Sequence, residues 1–144
     1  INHVSYNDYL TALENGSYSA AISWTINGPS PYYLYNNLLA SANSAPIGKV
    51  AASNWERWND TATDQLLTQF AQSDSSTVQQ QALNGLQRVM VEQVPTIPLI
   101  YNVQWYEYTT TRFVGWPTQQ DPYAVPSPYT YPDSEVVALH LHEI

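Results

Sequence analysis

From Ser17 to Trp24 the chain alternates, with Tyr18, Ala20, Ile22 and Trp24 on one side and Ser17, Ser19, Ala21 and Ser23 on the other. This is the two-residue period of a strand. Thr25 to Ser30 then reads as a loop carrying Gly28 and Pro29, and Ser30 as cap with Pro31 at the first helical position opens a helix to about Ala40. A strand that feeds a short loop and a helix restricts the chain to an α/β arrangement, in which ligands gather at the carboxyl ends of strands.

The rest of the chain is read in the same terms. Tyr6, Tyr9, Leu10 and Leu13 have helical spacing after Ser5 and stop at Asn15 and Gly16. Asn59 or Asp60 caps a helix with Ala62, Leu66, Leu67, Phe70 and Ala71 on its apolar stripe. A second starts near Asp74, with Val78, Ala82, Leu86, Val89, Met90 and Val94, and Pro95 stops it. Strands are predicted over 96–102 and 103–108, with Pro98 confining the first to an edge, an end or a bulge. Gly115 to Ser134 reads as a long proline-rich loop, and Glu135 to Glu143 as a closing strand with Val137, Leu139 and Leu141 on one face. A patternless loop of that length is unusual inside a compact domain unless it is functional or wraps another domain.

Charge narrows the function classes. Four basic and 12 acidic residues give a net charge of -8 in 144 residues, the wrong sign for a phosphate-backbone partner. Ser, Thr, Asn and Gln together number 47 against 16 charged residues, and the large rings are 12 Tyr and 5 Trp with only 2 Phe. Such a surface suits hydrogen bonding and wet stacking contacts rather than ionic ones. The absence of cysteine removes disulfides, thiolate zinc sites and Cys nucleophiles together. Ile1 opens the chain without an initiator Met or a basic leader, which reads as an internal start within a longer protein.

No cofactor or metal is expected. His140 and His142 sit two apart without a third ligand nearby, and there is no G-x-S-x-G elbow, S-x-x-K pair or phosphate-binding glycine loop. The aromatic segments carry more. Trp24 stands at the carboxyl end of the predicted strand, with two readings open: it continues the buried Ala20 and Ile22 face, or it is a platform for a flat ligand face. Tyr32 follows at the next helix start. Asn54, Trp55 and Arg57 belong to the run Asn54-Trp55-Glu56-Arg57-Trp58, where large rings in a loop ask for a partner. Trp116 and Tyr123, in the proline-rich loop, divide between covering a domain seam and touching ligand.

Several segments taken in order resemble one family. Tyr18 to Trp24, Gly28-Pro29-Ser30-Pro31-Tyr32-Tyr33-Leu34, Asn54 to Trp58 with Asp64-Gln65-Leu66-Leu67, and above all the run from Leu86 through Val94-Pro95-Thr96-Ile97-Pro98-Leu99 are similar to the C-terminal part of the family 5 extracellular solute-binding proteins. These are the oligopeptide- and dipeptide-type receptors of ABC importers. Arg112 to Thr118 and Asp121-Pro122-Tyr123-Ala124 resemble that family's closing segment.

The resemblance implies an α/β fold that is the C-terminal part of a two-lobed, class II periplasmic-binding-protein-like molecule. Residues 1–108 would end the second lobe, and 109–144 would form the long loop and return strand towards the first. It implies a non-enzymatic, extracytoplasmic receptor, periplasmic or held at the cell surface by a lipid anchor outside this chain. Such a receptor binds an oligosaccharide or oligopeptide between its lobes and delivers it to the transmembrane subunits of an ABC permease. Trp24, Asn27, Tyr32, Asn54, Trp55 and Arg57 are the expected ligand-binding residues, with Trp116 and Tyr123 as further candidates. Peptide-binding members place an Asp three positions after the residue matching Trp24, where this chain has Asn27. An amide cannot supply that charge-assisted bond to a peptide amine, so neutral oligosaccharides are the preferred ligand, unless another acidic residue takes the amine. The rival reading is a carbohydrate-active enzyme or an accessory carbohydrate-binding module. The helices argue against a β-sandwich module.

Overall fold

A computed structural model of the chain describes residues 3–25, 28, 30–100, 106–127 and 130–144. Helix α1 (Tyr6–Asn15) begins where the Ser5 hydroxyl accepts the Asp8 N–H and ends on Gly16 at φ 70°. There the Ser17 and Gly16 N–H groups return to the carbonyls of Ala12 and Leu13, the left-handed closure that glycine makes without strain. Helix α2 (Pro31–Leu39) follows, with Pro31 in its first turn. A short 3-10 turn, Ser41–Asn43, leads on.

Helices α3 (Thr61–Gln72) and α4 (Ser76–Glu92) form an antiparallel hairpin on which α2 packs. Of the two caps the sequence offers α3, the chain uses Asp60. Its carboxylate accepts both the hydroxyl and the backbone N–H of Thr63, and these bonds hold the acid below its ordinary pKa. Tyr35, Leu39, Ala40, Leu67 and Leu86 make the core, with Tyr32, Trp58, Leu66 and Met90 packed around it. Gly85 lets α4 approach closely, since a Cβ there would lie 2.8 Å from Leu66.

Four strand expectations are corrected over their described residues. The segment before Trp24 forms no strand and bends at Ser19. Ile22 is 79% exposed, so its apolar face has no sheet to pack on. Two tyrosines tether it instead: Tyr9 Oη donates to Ile22 O at 2.6 Å and Tyr18 Oη to Trp55 O at 2.6 Å. Residues 96–100 and 106–108 likewise carry no strand, and 101–105 lie outside the described residues.

The fourth correction concerns the closing strand, most of which is helix α5 (Asp133–His140). Asp133 and Glu135 in its first turn complement the partial positive charge of a helix start. Val137 is buried while Leu139 is 86% exposed, so the alternating residues do not share a face. Only β2 (His142–Glu143) is strand, pairing antiparallel with β1 (Phe113–Val114) in the register Phe113 to Glu143 and Val114 to His142. The proline-rich segment is tied down locally. Asp133 Oδ1 accepts the Val125 N–H at 2.9 Å, and the Tyr123 hydroxyl donates to Gly115 O.

Candidate functional site

The end of the segment 17–24 and the turn before α3 meet. Trp24 packs edge-on against Trp55, ring centroids 5.8 Å apart and planes at 82°, and Tyr9 of α1 meets it at a tilt of 43° with centroids 6.1 Å apart. These are separations at which aromatic pairs attract. Trp24 is 49% exposed. The reading that buries it along a strand face is therefore not what the fold does with it.

Behind the pair, the turn 54–58 is built on two residues of positive φ, Asn54 at 47° and Arg57 at 62°. Asn is one of the few residues that tolerates the left-handed region, because its short amide bonds locally. Asn54 is 2% exposed. Its Nδ2 donates to Ala40 O at 2.9 Å and Trp58 O at 2.8 Å, and its Oδ1 accepts the Trp58 N–H at 2.7 Å. Arg57 donates through Nη1 to Trp55 O and through Nη2 to Glu14 O at 2.7 Å and, more weakly, to Lys49 O at 3.4 Å. Asn54 thus clasps the turn at Ala40 and Trp58, while Arg57 bonds to the Trp55 carbonyl.

The other expected residues fall elsewhere. Tyr32 stacks on Phe70, centroids 5.1 Å apart and planes within 10°, and meets Tyr33 edge-on. Burial raises its hydroxyl pKa, and its ring belongs to the packing of α2 on α3. Trp116 stacks on Tyr108 at 5.1 Å, and Tyr123 on His140 at 4.3 Å, both in the C-terminal segment. Asn27 lies outside the described residues. Of the expected set, the structure brings Trp24 and Trp55 into ring contact, with Arg57 bonded to the carbonyl of the second and Asn54 holding the turn it stands in.

One residue of this group was missed. Glu56 lies between Trp55 and Arg57, and burial pushes its carboxyl from an ordinary 4.5 up to about 7, against smaller opposing effects of its own backbone N–H and of Arg57. Its carboxylate in turn helps burial to raise the Tyr18 hydroxyl. The signal available in sequence was its place among Trp55, Arg57 and Trp58; a lone carboxylate otherwise reads as solvated.

A stability consequence follows. Between about pH 4.5 and 7 the folded chain retains a proton on Glu56 that the unfolded chain has released, so stability falls as pH rises through that interval and levels off above it. Glu56→Gln is expected to remove this slope and to stabilise the fold at pH 8 by on the order of 1–2 kcal/mol, the full shift being discounted for partial solvent access. Thermal melts of both proteins at pH 4.5 and pH 8 check this. Parallel curves at the two pH values would contradict it.

Comparison with known proteins places the fold. No family model and no curated relative matches the sequence. Among solved structures, the chain is similar to a periplasmic oligopeptide-binding protein of an oligopeptide ABC transporter from Thermotoga maritima with mannohexaose bound. The TM-score is 0.64 at 17% identity. A second structure of that periplasmic oligopeptide-binding protein matches with a TM-score of 0.62 at 19% identity. In both cases 99% of this chain is covered but only 27% of the neighbour. The chain therefore has the fold of one part of a solute-binding protein, the fold that its sequence resemblance implied.

Proposed function

We propose that this chain is part of the extracytoplasmic receptor of an ABC importer, one that binds a neutral oligosaccharide in preference to an oligopeptide and hands it to the permease. The observation that carries this is the Trp24–Trp55 pair: two indoles in contact, one of them half exposed, held by Tyr9, Tyr18 and Arg57. A half-exposed indole on a rigid support offers a flat apolar face to the C–H face of a sugar ring, while polar atoms around it meet the hydroxyls. The solute-binding-protein fold supports the transport role, and mannohexaose bound to a neighbour named for oligopeptides supports a saccharide as an acceptable ligand of this fold.

The preference for neutral ligands rests on Asn27, which stands where the peptide-binding pattern calls for Asp. A buried ammonium facing a neutral amide lacks its counter-charge and loses several kcal/mol, roughly, whereas a hydroxyl makes no such demand. Residues 1–108 are assigned to the end of the second lobe and 109–144 to the return towards the first. Membrane attachment through a lipid anchor outside these residues belongs to the same reading. The chain acts as a binder, and no catalytic residue is assigned.

A thermal-shift screen of the intact protein against manno-, cello- and xylo-oligosaccharides beside di- to pentapeptides tests the proposal. Stabilisation by one of the sugar series is expected. Stabilisation by peptides alone would overturn the ligand preference, and stabilisation by neither would overturn the receptor assignment.

A further inference from the structure

The end of α4 and the segment that follows it carry an apolar surface left open among the described residues. Val91, Val94, Ile97, Leu99 and Ile100, all within ten consecutive residues, are each between 51% and 88% exposed. Apolar side chains scattered singly over a surface need no explanation, but a run of large ones does. Residues 94–100 read Val-Pro-Thr-Ile-Pro-Leu-Ile, with one hydroxyl and no charge, in a protein whose net charge is -8.

Two backbone features point the same way. Among the described residues, the N–H groups of Ile97, Leu99 and Ile100 make no backbone hydrogen bond, so pairing capacity stands unused beside the exposed side chains. Val94 has a φ of 49°, in the left-handed region that a β-branched residue occupies only under constraint. Val94 is itself half exposed, and packing among the described residues supplies little of that constraint.

We propose that residues 91–100 form an internal docking surface, covered in the intact receptor by an uncharged, apolar face from the part of the receptor outside these 144 residues. The proposal rests on the receptor reading above. The fold comparison supplies the occupant: the similarity takes in 99% of this chain and only 27% of the solute-binding protein, which leaves most of a receptor's fold to other residues. An uncharged apolar face calls for a cover of the same kind, because an unpaired charge buried against it is unfavourable. A second copy of the chain is the poorer occupant. Each copy brings the same charge of -8, which opposes association, and Pro95 and Pro98 lack the N–H that edge-to-edge pairing uses. A cover joined through the same polypeptide also avoids the entropic cost of association.

Thiol labelling tests this. Leu99→Cys and Ile97→Cys variants of the intact protein are treated with a maleimide, folded and in denaturant, and the labelled peptide is quantified by mass spectrometry. The unfolded sample sets the rate of an open thiol, and melting curves confirm that both variants fold. The expected result is labelling about tenfold or more slower in the folded protein at both positions, since a covered thiol reacts only when the structure opens. That protection should be independent of protein concentration.

Lesser protection at either position would overturn the docking. Protection that fades on dilution would also overturn it, because the cover would then be a second copy. The receptor reading is judged on the same preparations by thermal shift with mannohexaose and tetra-alanine. Open thiols in a protein that one of these probes stabilises would overturn the docking alone, and open thiols in a protein that neither stabilises would remove both.

Discussion

Asn54→Ala is expected to destabilise the fold by about 3 kcal/mol, an effect that arises from two separate losses. The first is hydrogen bonding. The Trp58 N–H and C=O both bond to the Asn54 amide in a buried turn, and truncation leaves them without partners. Ala40 O is less affected, because it also accepts the Asn43 N–H. The second is conformation, since alanine does not rest comfortably at a φ of 47°. Denaturant titration of the intact protein and the variant, followed by tryptophan emission, measures the sum. A change below about 1 kcal/mol would mean that the amide does not hold the turn. Asn54→Asp keeps the acceptor for the Trp58 N–H but loses both donors, and is expected to fall between the two.

Asn54 also marks the boundary of what residue types disclose. An amide in an aromatic loop reads equally well as a ligand hydrogen-bonder or as the clasp of a turn, and only the direction of its three bonds decides. The same holds for Arg57, whose guanidinium bonds to carbonyls from as far away in sequence as Glu14. The helices were legible because their signals are local: Ser5 and Gly16 bound α1, Pro31 opens α2, and Asp60 caps α3 within three residues of its partner.

Strands failed for the opposite reason. A period of two reports an extended or half-buried tendency, but a strand needs a neighbour, and the run ending at Trp24 has no strand partner among the described residues. In Glu135 to Glu143 the alternation of Val137, Leu139 and Leu141 was overridden by the helix start at Asp133, the residue whose carboxylate also anchors Val125. Glu56 was passed over because neither its burial nor its orphaned oxygen leaves a trace in composition or spacing. The indole pair was half legible. Trp24 and Trp55 were each singled out by position, but their edge-to-face contact joins segments 31 residues apart in sequence.

That contact carries the largest expected effect on binding. Trp24 contributes a half-exposed ring in contact with Tyr9 and Trp55. Removing it takes away little buried core while abolishing the proposed platform. Trp24→Ala is therefore expected to weaken sugar binding by about 1–3 kcal/mol, the range for an aromatic anchor near the centre of a site, and to shift the melting temperature little. A core role would reverse the pattern. The direct measurement is a titration of the intact protein and of Trp24→Ala with mannohexaose, read by tryptophan emission and by calorimetry on the same samples. The account predicts a saturable emission change in the unmodified protein and roughly 10- to 100-fold weaker binding in a variant that melts at nearly the same temperature. Unchanged affinity together with a clearly lowered melting temperature would contradict it.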